Sequence, residues 1–231
     1  MSNALAMILA DTRFPSSQPP HSGGVETACA KGLIKDLATL RSFLRGRLGA
    51  TGTLAAYTAA SVCAQASRPK IHPSLWRSVE AEVDARIFSP AARAASREQG
   101  GQVLRLALTI SEERVLDSLA RATVAVAQRP HHAVALGAVG AAASSSPADA
   151  ATAAAFASVA GPAFAAQQIL GLDPAAVAEI GVEMLPEIDR LATEAAAHSL
   201  QPPSSLPCFS APALDYLAEE HSARAGSSFG S

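Results

Sequence analysis

Residues 146–174 read SPADAATAAAFASVAGPAFAAQQILGLDP, and the fold class turns on this stretch. It opens with Ser146-Pro147 and closes with Asp173-Pro174, each a capping residue followed by proline. Proline suits a first helical position because its fixed φ is already helical and its missing N–H would find no partner there. Between the two starts, Ala150 to Leu172 carries no charge and is long enough to span a bilayer. Most of it is Ala, Gly, Ser and Thr, with Pro162, Gln167 and Gln168, and only Phe156, Val159, Phe164, Ile169, Leu170 and Leu172 would strongly favour lipid. The stretch is therefore expected to be a buried central helix rather than a membrane span.

Working outward, Ser89-Pro90 writes a third helix start of the same kind. Leu37, Leu40, Leu44 and Leu48 form one apolar stripe, Trp76, Val79, Val83 and Ile87 a second, and Val177, Ile180, Met184, Ile188, Leu191 and Ala195 a third, each at helical spacing. Pro186 interrupts the third and is expected to kink or split its helix near Leu185. Composition agrees, since 53 of 231 residues are alanine and only 4% are aromatic. Alanine has the best helix propensity, whereas sheets want the β-branched and aromatic residues that are scarce here. The expected fold is all-α: a multi-helix bundle forming a single domain over residues 1–231. Pro, Ser and Gly mark Thr12–Gly24 and Gln201–Pro212 as connectors, residues 1–24 read as an N-terminal segment and loop, and residues 213–231 read as a C-terminal tail.

The charges nearly balance, 18 Lys+Arg against 20 Asp+Glu, so no global field pulls the protein onto nucleic acid. Arg41, Arg45 and Arg47 lie on an amphipathic helix and are expected to form its solvated face. Cys29, Cys63 and Cys208 are odd in number, widely spaced and without an activating cation, so packing is their expected role. The N-terminus has no basic region of a cleaved leader, and a reducing cytoplasm is the expected compartment.

Chemistry-bearing motifs are sparse. His21, His72, His131, His132, His198 and His221 show no metal-ligand spacing, and no phosphate-cradling glycine loop or nucleophile elbow is present. The expectation is a non-catalytic chain that holds no metal or cofactor itself. Along Pro90 to Ile110, Ala92, Ala95, Val103, Leu106 and Ile110 make an apolar stripe into which Gln99 falls, with Arg93, Ser96 and Gly100 on an adjacent face. A buried Gln99 amide needs partners, and Ser96 is one candidate. His131 is either a satisfied core histidine or part of a site. An apolar pocket served by His131, His132 and Gln99 is the enzymatic alternative.

Leu9 to Ser16 (LADTRFPS) followed by His21-Ser22-Gly23-Gly24-Val25-Glu26 resembles the N-terminal signature of the UreF family of urease accessory proteins. Arg93, Ser96, Gln99 and Gly100 with Leu104 resemble its central motif, and His131, Val134 and Gly137 a second. Pro212, Leu214, Asp215, His221 and the closing Phe229-Gly230-Ser231 are similar to the family's ending, so the likeness runs through nearly the whole chain. It departs at Ser17–Pro20, at Gln168 and at Ser227; at the latter two, members carry arginine, and Arg224 is expected to supply the tail's positive charge.

The resemblance implies a helical dimer that binds a UreD/UreH-type protein and recruits a UreG-type GTPase. That assembly delivers nickel to apo-urease, with nickel and GTP held by the partners. It also implies partner-binding residues: His21, Ser22, Gly23, Glu26, Arg93, Ser96, Gln99, Gly100, His131, Asp215, His221, Arg224, Phe229 and Ser231. Residue by residue, His21, Ser22 and Glu26 could instead cap and staple the following helix, and Gly100 and Gly137 could serve close helix approach. The alternative for the chain is a helical homodimeric interaction module unrelated to nickel.

Overall fold

The computed structural model describes residues 23–72 and 74–223. Helices follow one another with short connections: α1 (Val25–Ala30), α2 (Leu37–Arg47), a π-helical turn (Leu48–Gly52), α3 (Thr53–Ala66), α4 (Leu75–Arg86) and α5 (Pro90–Ile110). Then come α6 (Arg114–Val126), α7 (His132–Ala142), α8 (Pro147–Leu170), α9 (Pro174–Ala197), a 3₁₀ turn (Pro203–Ser205) and α10 (Pro212–Ser222). Among the described residues there is no strand. The fold is all-α, as the sequence requires.

The three cap-proline starts are realised as read. Ser89, Ser146 and Asp173 accept the backbone N–H of Ala92, Asp149 and Ala176 respectively. Each such cap contributes about 1 kcal/mol.

Two apolar cores share α3 and α8. Ala59, Val62 and Cys63 of α3 and Ala150, Ala154 and Ala157 of α8 join one core with α4, α5, α6 and α7. Ala56, Ala60, Ala151, Ala155 and Val159 join the other with α1, α2, α9 and α10. A helix buried on both sides gains nothing from a polar face, and small side chains let its neighbours close in. This accounts for the alanines along those two faces, while Phe156 and Ile169 of the same uncharged run are exposed. Helix α7 carries the same logic further, since Ala133 through Ala142 are all buried. Gly137 lets α3 approach, for a Cβ there would fall 2.7 Å from the Ala59 carbonyl oxygen and from Val62 Cβ.

All six residues of the Val177–Ala195 stripe are buried. Helix α9 nevertheless runs unbroken through Pro186, so the expected split does not occur. The carbonyl that Pro186 leaves without a helical donor belongs to Val182, which is 65% exposed, so water can satisfy it. In α8, Pro162 leaves the Ser158 carbonyl free instead, and Arg47 supplies its donor, Nε to O at 2.7 Å.

Arg47 thus corrects the reading of a solvated arginine face. Arg41 does lie at the surface on Glu183, at 2.7 Å, but Arg47 turns inward to the Ser158 and Gly23 carbonyls. A second correction concerns α5. Its core-facing residues are Ala91, Gly100, Val103, Leu104 and Ala107, whereas Ala92, Ala95, Gln99 and Leu106 are only half-buried and Ile110 is exposed. The helix turns its Gly100 face inward because only a residue without Cβ admits the backbone at Pro130 and His131.

Candidate functional site

The start of α7 supplies no side-chain cap of its own, and its N–H groups would be orphaned in the interior. Neighbouring helices supply the acceptors. Glu80 of α4 accepts the His131 N–H at 3.1 Å, and Ser96 of α5 accepts the His132 N–H at 3.3 Å. A carboxylate there also complements the positive end of the α7 dipole. Arg97 holds Glu80 and Asp84, at 3.0 and 2.5 Å, and donates to the Arg129 carbonyl. The His131 ring, with no exposure, closes the network: Nε2 lies 2.9 Å from Asp84 Oδ1 and Nδ1 lies 3.0 Å from Ser96 Oγ. A carboxylate on Nε2 sets the tautomer with the proton there, leaving Nδ1 to accept the serine hydroxyl.

Burial, reinforced by the charge of Arg97, pushes the His131 pKa down to about 4 against the pull of Asp84. Burial likewise pushes Glu80 up to about 7, with Arg97 and the His131 N–H acting the other way. For Asp84 burial acts upward too, yet the hydrogen bonds from His131 and Arg97 together hold it below the usual range. His131 is therefore a neutral, satisfied core histidine that locks α4, α5 and α7 together.

These three helices, with α2, α3, α8 and α10, wall a cavity of about 220 Å³. Ser96 and Gln99 line it from α5, Gly23 from the entrance to α1, and Asp215 from the first turn of α10. Three stretches far apart in sequence, each singled out for its residue pattern, therefore meet around one cavity. Helix α10 is latched over it: Glu219 Oε1 accepts from Ser89 Oγ at 2.6 Å and from the Ala91 N–H at 3.0 Å. Lys31 joins it to α1 through Glu220 at 3.0 Å and the Tyr216 hydroxyl at 2.9 Å. Leu217 packs against Gly24, where a Cβ would lie 3.1 Å from Leu217 Cβ.

The remaining sequence-derived residues fall as follows. Glu26 stands in the first turn of α1, 3.7 Å from Nδ1 of the buried His221. The residue at the cap position of that helix is Gly24, in the left-handed region at φ +88°. Arg93 donates to the carbonyls of Ile87 and Phe88, at 2.6 and 3.2 Å, bracing the α4–α5 turn. Gly100 lies under the α7 entry. His21, Ser22, Arg224, Phe229 and Ser231 lie outside the described residues.

Sequence reading missed Glu80, Asp84, Arg97, Arg47 and Glu219. The acid pair had a signal, because Glu80 and Asp84 sit four apart, each directly after a residue of the Trp76–Ile87 stripe. Burial pushes Cys63 up to about 11, in keeping with a packing role. Among the described residues, no group of three or more His, Cys, Asp or Glu side chains could hold a metal ion.

The UreF family model matches residues 34–184, which include the α4–α5–α7 network. The chain belongs to the UreF family. Relatives described as urease accessory protein UreF extend the likeness beyond that range. The protein of Mycolicibacterium vanbaalenii is 38% identical over 218 residues, 94% of each chain. That of Mycobacterium marinum is 38% identical over 221 residues, 96% of this chain and 95% of its own, and that of Mycobacterium tuberculosis is 36% identical over the same length. Within this UreF-family chain, the residues that carry the resemblance divide in two. Arg93, Gly100 and His131 build the framework, while Gly23, Ser96, Gln99 and Asp215 border the cavity.

Proposed function

We propose that this chain is a non-catalytic scaffold of urease maturation. It binds a UreD/UreH-type protein as a homodimer in the cytoplasm and recruits a UreG-type GTPase for GTP-dependent nickel insertion into apo-urease. The partners hold the nickel and the nucleotide. The reading is supported by membership of a family of urease accessory proteins, with likeness to a relative over 94% of the chain. The observation that carries it further is the convergence of the N-terminal, central and C-terminal motif residues where α1, α5 and α10 meet. Such a junction presents one composite face where the described residues begin and end. A docking face acts on a GTPase by binding one of its states better than another, and by no more than that difference.

Co-expression of the full chain with the host's UreD-type and UreG-type proteins, followed by pull-down and light scattering, tests this. A stoichiometric complex that weakens when residues 225–231 are deleted, with the cooperative melt of the chain retained, is the expected result. No complex under any nucleotide or nickel condition would overturn the reading and leave a helical module unrelated to nickel.

A further inference from the structure

Arg47 and Arg86 both line the cavity, and their charges are treated very differently. The Arg86 guanidinium has a counter-charge and four bonds: Nε donates to the Leu206 carbonyl, Nη2 to the Ser204 carbonyl, and Nη1 to the Glu82 carbonyl and carboxylate. Arg47 has only two carbonyls, Ser158 O from Nε at 2.7 Å and Gly23 O from Nη1 at 3.0 Å. Among the described residues no carboxylate lies within ion-pairing distance of it, and Nη2 has no partner. The arrangement is nevertheless built rather than incidental. Pro162 withholds the helical donor from Ser158, and Gly23 lies so close that a Cβ there would fall 2.7 Å from the Arg47 Cζ.

A guanidinium drawn into protein without a counter-charge is costly, and the cost shows as burial pushing its pKa down to about 10. The charge survives at neutral pH, fixed by two carbonyls that orient the fork without neutralising it. A planar fork with unused N–H groups matches a carboxylate in size and geometry. Leu54, Val103, Leu106 and Leu214 make much of the remaining lining apolar, and Asp215 is the carboxylate in it.

We infer that the cavity binds a small monocarboxylic acid, its carboxylate on Arg47 and its apolar body against Leu54, Val103 and Leu106. The volume of about 220 Å³ suits a molecule the size of benzoate.

Benzoate and butyrate, titrated into the full chain, test this against benzamide and butyramide, their uncharged counterparts. The two acids are expected to raise Tm and to shift the Arg47 Nε–H resonance in ¹⁵N NMR, and the amides to do neither. Arg47→Gln is expected to weaken benzoate binding at least about tenfold, as loss of a charge-assisted fork does. Asp215→Asn, which removes a like charge from the lining, should leave binding unchanged or strengthen it. Should Arg47→Gln fail to fold, the acid–amide comparison on the unaltered chain and its NMR signal decide alone. Equal responses to acid and amide, no shift of the Arg47 signal, or undiminished benzoate binding by folded Arg47→Gln would each overturn the proposal.

Discussion

His131 meets Asp84 through a 2.9 Å bond from Nε2 to Oδ1, although the imidazole has no exposure and sits on a different helix from the carboxylate. The bond fixes the tautomer that lets Nδ1 take the Ser96 hydroxyl, so three helices depend on one ring. Replacing His131 with alanine removes both bonds and opens a cavity, leaving Asp84 and Ser96 short of a partner. The expected cost is about 3 kcal/mol. Urea denaturation should show it as a lower midpoint at an unchanged slope.

The same network sets a compensated pH dependence. His131 folds with its pKa near 4 against an ordinary 6.5, so its contribution is present above pH 6.5 and lost as pH falls toward 4. Glu80 folds with its pKa near 7 against 4.5, so its contribution is present below pH 4.5 and lost as pH rises through 7. Between those limits the two oppose one another, and wild-type stability should be nearly flat in pH. Glu80→Gln removes one side of the balance. Its unfolding midpoint should fall steadily from pH 6.5 to pH 4.5, and a flat profile in that variant would contradict the opposition.

Gly100 and Gly101 make a matched pair. A Cβ at Gly100 would strike the Pro130 carbonyl oxygen and lie 2.6 Å from the His131 carbonyl carbon, both rigid backbone. A Cβ at Gly101 would meet the Arg129 side chain, which can swing away. Gly100→Ala should therefore destabilise by about 2 kcal/mol, whereas Gly101→Ala should be close to neutral because alanine's helix propensity offsets the contact. Thermal melts of the two variants side by side check this.

Glu219 is the acceptor that ties α10 to the start of α5, and its bonds to Ser89 and Ala91 hold its carboxyl below the usual range. Glu219→Ala should loosen α10 without unfolding the cores. Hydrogen exchange is expected to accelerate over residues 212–222 while α3 and α8 keep their protection. Uniform protection across the chain would show that Leu217 packing and the Lys31 contacts suffice.

Much of the fold was legible in the chain. The Ser-Pro and Asp-Pro starts are local chemistry, and each was found where it was read. Buried stripes at Leu40–Leu48, Trp76–Val83 and Val177–Ala195 follow from periodicity, because a helix repeats its core-facing position regardless of its neighbours. The site was legible in its parts only. Ser96, Gln99 and His131 could be named from the residues and Asp215 from the family resemblance, yet nothing local says that His131 meets Asp84 rather than a metal or a partner.

The sequence by itself determined the helices, their starts and the uncharged centre, since these depend on backbone propensity, capping and burial period within a few residues. The tertiary structure decided which face of α5 turns inward, that Arg47 leaves the surface for the carbonyl Pro162 frees, and that distant motifs share one cavity. Those outcomes rest on contacts between residues tens of positions apart, such as the Gly100 backbone against His131 and Glu219 against Ser89. Periodicity records which side of a helix is apolar. It does not record what that side will touch.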